Sequence, residues 1–370
     1  MITLREVAEK VGVSPTTVAN VIHGRTNKVS AATCARVNEE LKRSNYVSNM
    51  GARLLGKCGS KIIAVVIAYD DGTIHNPFCG SVMESIEQEV AKYGYYVMLC
   101  TTTDSQKCIK MALAWNVEGI ILLGAERDMY YTLKARLDVP IVTIDTCFKK
   151  TDERYVNIGL RDLEGGYEMT KYLLSKGHKR IGFVELSQSD KEKDIVYINE
   201  ARKRGYLGAL EEAKVIPNAN CVSAQKRVFK LSLDDRERKK QILEIAKNDF
   251  GNCSALFFTS DMLAIESMNI FLDAGYKIPQ DVSIAGFDDV NMASMIRPRL
   301  TTVHQEITLK GIKSVEEIMK ILDGKLSVDK DIRLPIKIIE RDTVSQNTEI
   351  QIKVNMKKSP GSKGSLSKGF

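Results

Sequence analysis

Apolar positions in the first 46 residues recur at helical spacing and are interrupted twice. Leu4, Val7, Ala8 and Val11 lie three and four apart, so "LREVAEKV" reads as a helix with one apolar stripe. Gly12 breaks that stripe. Ser14 and Pro15 follow as an N-cap and a proline at the first helical position, which predicts a second helix running to about His23. On this helix Val18, Val21 and Ile22 form the inner face, and Pro15, Thr16, Thr17 and Asn20 project outward from its N-terminal half. A third amphipathic stretch, "SAATCARVNEELKRSNY", opens on another capping residue, Ser30. Two short helices joined by a glycine turn and followed by a third have the layout of a helix-turn-helix domain, too small to be an enzyme; an ordinary helical hairpin is the alternative. In a helix-turn-helix the second helix enters the major groove, while helix ends and hydroxyls such as that of Ser14 meet phosphates.

Beyond residue 60 the pattern changes. Apolar runs of strand length occur at 61–69 ("KIIAVVIAY"), 95–102, 118–124, 140–145, 180–186, 255–260 and 282–289. Helical patterns separate most of them, notably "GSVMESIEQEVAKYG", "LEGGYEMTKYLLSKG", "RKRGYLGALEEAK" and "MLAIESMNIFLDAG". This alternation predicts an α/β body of parallel sheets with helices on both faces. With 370 residues in the chain, two such lobes beside the helical head fit better than one core. In open parallel sheets ligands lie beyond the carboxyl ends of the strands.

Charge sharpens the division. Residues 1–60 hold nine Lys/Arg against four Glu, and residues 350–370 hold five Lys and no acid, although the whole chain is only +7. A basic head on a mildly acidic body assigns polyanion contact to the head. The eight cysteines form no Cys-x-x-Cys pair and the four histidines no metal spacing, so structural thiols, no metal and no cofactor are expected. No apolar run approaches the roughly 18 to 20 residues that span a bilayer. "MITLREVAEK" is charged by its fifth residue and lacks the apolar core of a secretory signal, so a cytoplasmic location without membrane contact is expected. Neither a phosphate-binding Gly-rich loop nor a Gly-x-Ser-x-Gly elbow is present.

The segment "NYVSNMGARLLGKCGSKIIAVVI" carries the chain further, because at this point the sequence resembles the LacI/GalR family of bacterial transcription regulators, from Thr3 to about Thr343. "GHKRIGFV" and "GYKIPQDVSIAGFDDVNMASMIRPRLTTVHQE" are two further specific matches. The resemblance implies operator contacts at Thr3, Ser14, Pro15, Thr16, Thr17, Asn20, His23, Asn49, Arg53 and Leu55. Leu55 falls where the family's hinge helix wedges a leucine into the minor groove, and an apolar wedge kinks DNA by partly unstacking a base step. Ser48 stands where proline is usual, and Gly51 weakens the hinge helix by roughly 1 kcal/mol.

For the body the resemblance implies a periplasmic-binding-protein-like core that clamps an effector between two lobes, with the chain crossing between them three times. Candidate ligand residues are Asn76 and Phe78 in "HNPF", Asp145, Arg202 in the Arg-x-x-Gly-aromatic-x-x-Ala-Leu pattern, Ser260, Asp261, and Asp288 in "GFDD". Two carboxylates, an arginine and an aromatic suit a sugar, by hydrogen-bond forks and ring stacking. Lys226, Arg227 and Lys230 leave a phosphorylated or acidic effector open, and nucleobase effectors also occur in the family.

The expected organisation is a helix-turn-helix domain at 1–46 and a hinge helix and linker at 47–60. A two-lobed effector and dimerisation domain follows at 61–343, and a disordered basic tail at 344–370. Within it the N-lobe takes 61–160 and 291–323, and the C-lobe 161–290 and 324–343. The expected function is sequence-specific repression by a homodimer on a pseudo-palindromic DNA operator, under a small carbohydrate effector. The competing expectation is a sugar-binding or sugar-converting protein in which Asp145 and Asp288 act as paired carboxylates.

Overall fold

The computed structural model describes residues 2–22, 24–44, 46, 59–68, 76–146, 155–187, 196–218, 226–250, 252–325 and 331–347. It divides into two compact units, Met1–Ser60 and Lys61–Phe370.

The head is set by local capping. Helix α1 (Leu4–Val11) starts at Thr3, whose side chain accepts from the Glu6 N–H while the Glu6 carboxylate accepts from the Thr3 N–H, a closed capping box. It ends at Gly12 with φ 73, a left-handed conformation that side chains resist. Helix α2 (Pro15–Ile22) follows at once, with Ser14 Oγ accepting from Thr17 N–H. Helix α3 (Ala31–Arg43) is capped by Ser30, which accepts from Thr33 N–H. Val7, Ala8, Val11, Val18, Val21 and Val37 close a small core, with Leu4, Ile22 and Leu41 packed on it. Glu40 of α3 lies 3.6 Å from Lys10 and 3.2 Å from Arg43, and Arg36 donates to the Val11 carbonyl, so α3 also finishes the end of α1.

The second unit holds two six-stranded sheets. The N-lobe strands are β1 (Ile62–Ile67), β2 (Tyr96–Thr101), β3 (Gly119–Leu123), β4 (Ile141–Ile144), β5 (Val156–Leu160) and β11 (Asp331–Leu334), all parallel in the order 11-5-4-3-1-2. The C-lobe strands are β6 (Ile181–Leu186), β7 (Val228–Leu231), β8 (Ala255–Phe258), β9 (Ser283–Asp288), β10 (Thr301–Gln305) and β12 (Ile336–Ile339), in the order 12-10-9-8-6-7. Only β12 in this sheet runs antiparallel to its neighbour. Strand β1 has β2 on one side and β3 on the other, and β6 stands likewise between β7 and β8. Each lobe therefore has a topological switch point, where a crevice opens at the carboxyl ends of the strands.

The helices are α4 (Pro77–Lys92), α5 (Ser105–Ala114), α6 (Arg127–Arg136) and α12 (Ile307–Leu322) on the N-lobe, and α7 (Asp162–Ser175), α8 (Val196–Glu212), α9 (Asp235–Asp249), α10 (Asp261–Asp273) and α11 (Asn291–Met295) on the C-lobe. The chain passes between sheets at Arg161, Glu306 and Pro335. That corrects the expected lobe boundaries. Residues 291–305 belong to the C-lobe, because β10 pairs with β9 and β12, and 307–325 and 331–334 belong to the N-lobe, where α12 packs on α4 and β11 pairs with β5. In "LTTVHQEITLKGIKSVEEIMKIL" the sequence predicts a strand and then a helix returning to the N-lobe, and that reads the same whichever sheet the strand joins. The short or charged elements β7, β11, β12, α5, α6 and α9 were not expected, and neither was β5. The expected tail, 344–370, is corrected at its start, because Val344 is buried in the core and the backbone N–H groups of Ser345 and Asn347 donate to Ser283 Oγ and the Lys176 carbonyl; 348–370, the hinge at 47–58, His23, Asn49, Arg53 and Leu55 lie outside the described residues.

Helices α7 and α8 cross backbone against backbone. A Cβ on Gly166 would stand 2.0 Å from the Arg202 carbonyl oxygen, and one on Gly205 would stand 2.0 Å from the Leu163 carbonyl oxygen. Phe183 stacks on Tyr206 beneath this crossing, with centroids 5.1 Å apart. Gly166→Ala is expected to force the helices apart and destabilise the second unit by about 1–3 kcal/mol, the usual cost of overpacking. Urea unfolding checks this, and a midpoint equal to that of the wild type would rule the close crossing out.

Candidate nucleic-acid interface and ligand cleft

On the head, Thr3, Ser14, Pro15 and Thr16 are exposed, and Thr17 and Asn20 are half-buried. Two of these side chains are partly committed to structure, Thr3 in its capping box and Ser14 in its bond to Thr17 N–H with the Thr17 hydroxyl 2.9 Å away. Pro15, Thr16 and Asn20 remain on the outward side of α2, opposite Val18 and Val21. The start of α2 thus offers backbone N–H groups and hydroxyls to a phosphate, and its outer face offers an amide to a base edge.

In the second unit a cavity of about 150 Å³ lies at the carboxyl ends of both sheets. Asn76, Phe78 and Asp145 come to it from the N-lobe, and Arg202 and Asp288 from the C-lobe, so five of the seven expected ligand residues meet. Ile198, Asn199 and Gln305 complete its lining. The N-lobe wall follows from the switch point. Asn76 caps α4 by accepting from Phe78 N–H, which holds Phe78 in the first turn, and Asp145 ends β4 with φ 56. Across the cavity, Arg202 Nε donates to Asp162 Oδ1 at 2.9 Å and Nη1 donates to the Thr259 carbonyl at 2.5 Å. Its guanidinium lies 3.5 Å over the Phe287 ring and 3.8 Å from Asp288. Gln305 donates its amide to Asp288 Oδ1 at 2.6 Å, while buried Gln305 Oε1 has no hydrogen-bond partner among the described residues.

One group that sequence reasoning missed stands behind the N-lobe wall. Lys310, in the first turn of α12, is fully buried, and its Nζ lies 2.6 Å from both oxygens of Asp145 and 5.1 Å over the Phe78 ring. The signal available was a lysine on the apolar stripe formed by Ile307, Gly311, Ser314, Val315 and Ile318. Asp162 was missed too; it opens α7 immediately after the first crossing.

Ser260 and Asp261 do not line the cavity, and the expectation for Asp261 is corrected. Ser260 is the N-cap of α10, accepting from Leu263 N–H. Asp261 is fully buried beneath the C-lobe wall, where it accepts from Val290 N–H at 3.0 Å and from the Thr302 hydroxyl at 2.5 Å. Gly286 makes the room, since a Cβ there would lie 2.2 Å from Asp261 Oδ1. Lys226, Arg227 and Lys230 do not line the cavity. Arg227 donates to the Lys179 carbonyl at the amino end of β6, and Lys230 is exposed, 4.0 Å from Glu185.

Burial governs the titration of these carboxyls. It pushes Asp288 up to about 6, with Arg202 and Lys310 opposing, and it raises Asp162 against the pull of Arg202. Among the described residues no cation pairs with Asp261, and burial reinforced by the charge of Asp288 pushes it up to about 8. The folded state therefore holds a proton that the unfolded chain, with an ordinary value of 3.8, releases. Stability from this proton is complete below about 4 and lost as pH rises through about 8. In Asp261→Asn the amide can keep both bonds, with Thr302 turned to accept, so the variant is expected to lose much of the decline in urea midpoint between pH 5 and pH 8. A variant with the wild-type decline would remove Asp261 as its source.

Known proteins resemble this chain along nearly its whole length. Residues 3–49 match the model of the lacI family of bacterial regulatory proteins, and residues 170–344 match that of a periplasmic binding protein-like domain. The HTH-type transcriptional repressor PurR of Vibrio atlanticus is 28% identical over 351 residues, covering 93% of this chain and 99% of its own. Two solved structures share the fold. The lac repressor dimer bound to operator and the anti-inducer ONPF has a TM-score of 0.76 at 22% identity, covering 93% of this chain and 99% of that one. The CelR transcriptional regulator in complex with cellobiose has a TM-score of 0.67 at 22% identity, covering 93% and 100%. With a head that matches the lacI family model, a body that matches the periplasmic binding protein-like model, and relatives that align from one to the other, the chain is similar along its length to the LacI family of bacterial regulatory proteins.

Proposed function

We propose that the protein is a sequence-specific transcriptional repressor that acts as a cytoplasmic homodimer on a pseudo-palindromic DNA operator, under the control of a small polyhydroxylated effector held between its lobes. The observation that carries this reading is the combination of a capped helix-turn-helix with a charged cavity lined from both sheets. The relatives support it, since PurR is named a repressor and the solved neighbours hold an operator and a sugar. Among the described residues no helix is long and apolar enough to cross a membrane.

The cavity bears on what is bound. At about 150 Å³, it accommodates a small polar ring. Its donors and acceptors come from both lobes, so a ligand that satisfies them fixes the angle between the lobes. Such a ligand shifts the protein toward whichever lobe arrangement it fits better, and the segment 47–60 passes that preference to the heads. Hydrolytic chemistry is not part of the proposal. Paired carboxylates would need a free general base, whereas both oxygens of Asp145 are taken by Lys310.

Selection from a random duplex library at fixed moderate salt tests DNA reading, because phosphate contacts make affinity salt-dependent. A two-fold symmetric site should emerge; failure to enrich one, with and without a metabolite pool, would refute the reading. Asn20→Ala is expected to relax the preference at one base pair per half-site by about 1–3 kcal/mol, the worth of a bidentate contact. Arg202→Ala should abolish the effector response, but it also strands buried Asp162 at a cost of about 3–5 kcal/mol. Asn199→Ala on the same helix is therefore the cleaner variant: operator binding should persist and the effector response should be lost, as read by gel shift with and without the ligand.

A further inference from the structure

The charges around the cavity are distributed unequally between those already matched and those left open. Among the described residues the charges of Lys310 and Arg202 are answered by Asp145, Asp162 and Asp288, although Arg202 Nη2 makes no hydrogen bond there. Lys310 faces the two oxygens of Asp145 at 2.6 Å, and Arg202 is held by Asp162, the Thr259 carbonyl and the Phe287 ring. The acceptors are not all engaged. Asp288 receives one hydrogen bond on Oδ1 from Gln305, and its Oδ2 accepts none among the described residues. The surface lysines and arginine that could have drawn an anion lie away from the cavity.

Lys310 is the group that creates this imbalance. A lysine with no solvent exposure is costly unless a carboxylate answers it, and a carboxylate so answered no longer accepts freely from a ligand. Without Lys310 the N-lobe wall would present Asp145 as a bare anion facing Asp288 across the cavity, and the site would favour a cation.

We propose that Lys310 is a specificity-determining residue of the effector site: by occupying both oxygens of Asp145 it makes the N-lobe wall a neutral ion pair, so that the site takes a small uncharged polyhydroxy ligand that donates to Asp288, and rejects phosphorylated and carboxylated ones. This rests on the cleft being the effector site, as argued above. The role belongs to Lys310 as a positioning residue behind the wall, acting through Asp145 and Phe78.

The test is calorimetric titration of the full-length protein with matched sets of pentoses and hexoses: the neutral sugars, their phosphates, their uronic acids and their 2-amino-2-deoxy forms. In the wild type a neutral sugar should bind, and its phosphate and acid should bind at least about a hundredfold more weakly, since two like charges meet at close range in a poorly solvated site. In Lys310→Met the amino form should gain at least about tenfold on the neutral one, because Asp145 has lost its counter-ion. Asp145→Asn with Lys310→Met removes both charges and should restore the neutral preference.

A phosphate or acid bound best by the wild type, or unchanged ratios in Lys310→Met, would overturn the proposal. Should Lys310→Met fail to fold, the wild type and the double variant still decide, since anion binding in the former or an amine preference in the latter has the same effect. Asn199→Ala tells the two failures apart. Sugar binding that this variant leaves untouched would place the ligand outside the cleft and sink the effector-site reading. Binding lost in Asn199→Ala but favouring anions would leave the cleft standing and sink the role of Lys310. A panel in which no sugar binds overturns both.

Discussion

A carboxylate removed from water has to be met by a cation or by hydrogen-bond donors, and the arrangement at the strand ends of both lobes follows from that requirement. Asp145 is met by Lys310 within the N-lobe, and Asp162 and Asp288 by Arg202 and Gln305 within the C-lobe. Each half of the cavity is therefore assembled inside its own lobe, and a ligand need not order it. Stranding one member of such a pair costs about 3–5 kcal/mol, a large share of the roughly 5–15 kcal/mol that stabilises a domain. Fold and site are thus bound together. Arg202 reaches Asp162 only because α7 and α8 touch backbone to backbone at Gly166 and Gly205, and Asp261 can lie beneath Asp288 only because Gly286 has no side chain.

The head obeys a different logic. Its helix starts are fixed by side chains within three residues, Thr3 with Glu6, Ser14 with Thr17, and Ser30 with Thr33, and its turn by one left-handed glycine. Interactions this local can be read directly from sequence, and α1, α2 and α3 fall where spacing and caps place them. The same holds for the buried strands: the run at 61–69 contains β1, and that at 180–186 contains β6, because parallel strands covered on both faces must be apolar throughout.

What sequence did not disclose depends on partners far along the chain. Strands β11 and β12 are four residues each and partly exposed, too short to be assigned to a sheet until β5 and β10 pair with them. Helix α9 is so rich in charge that its apolar positions, Ile242, Ile245 and Ala246, hardly show. Asp261 and Asp288 are the same residue type, each at the carboxyl end of a C-lobe strand, yet one lines the cavity and the other braces the wall below it. Lys310 was visible as an oddity on an apolar stripe, but its meaning required Asp145, which lies 165 residues away.

The crossings give the site its means of control. Gln305 ends β10 in the C-lobe and touches Asp288; Glu306 is the crossing residue; Lys310, in the first turn of α12, holds Asp145 in the N-lobe. One short stretch thus places a group behind each wall of the cavity. The first crossing repeats the pattern, since β5 ends the N-lobe at Leu160 and Asp162, the partner of Arg202, opens the C-lobe. The groups that hold the walls are therefore the groups nearest the pivots. In the proposed function, a small ligand packed on Phe78 and donating to Asp288 does not need a long path of contacts to bias the lobes, because the residues supporting each wall are covalently joined to the segments that connect the lobes. Rotation about Arg161 or Glu306 must carry Asp162, Gln305 and Lys310 with it, so the lobe angle and the shape of the cavity change as one variable.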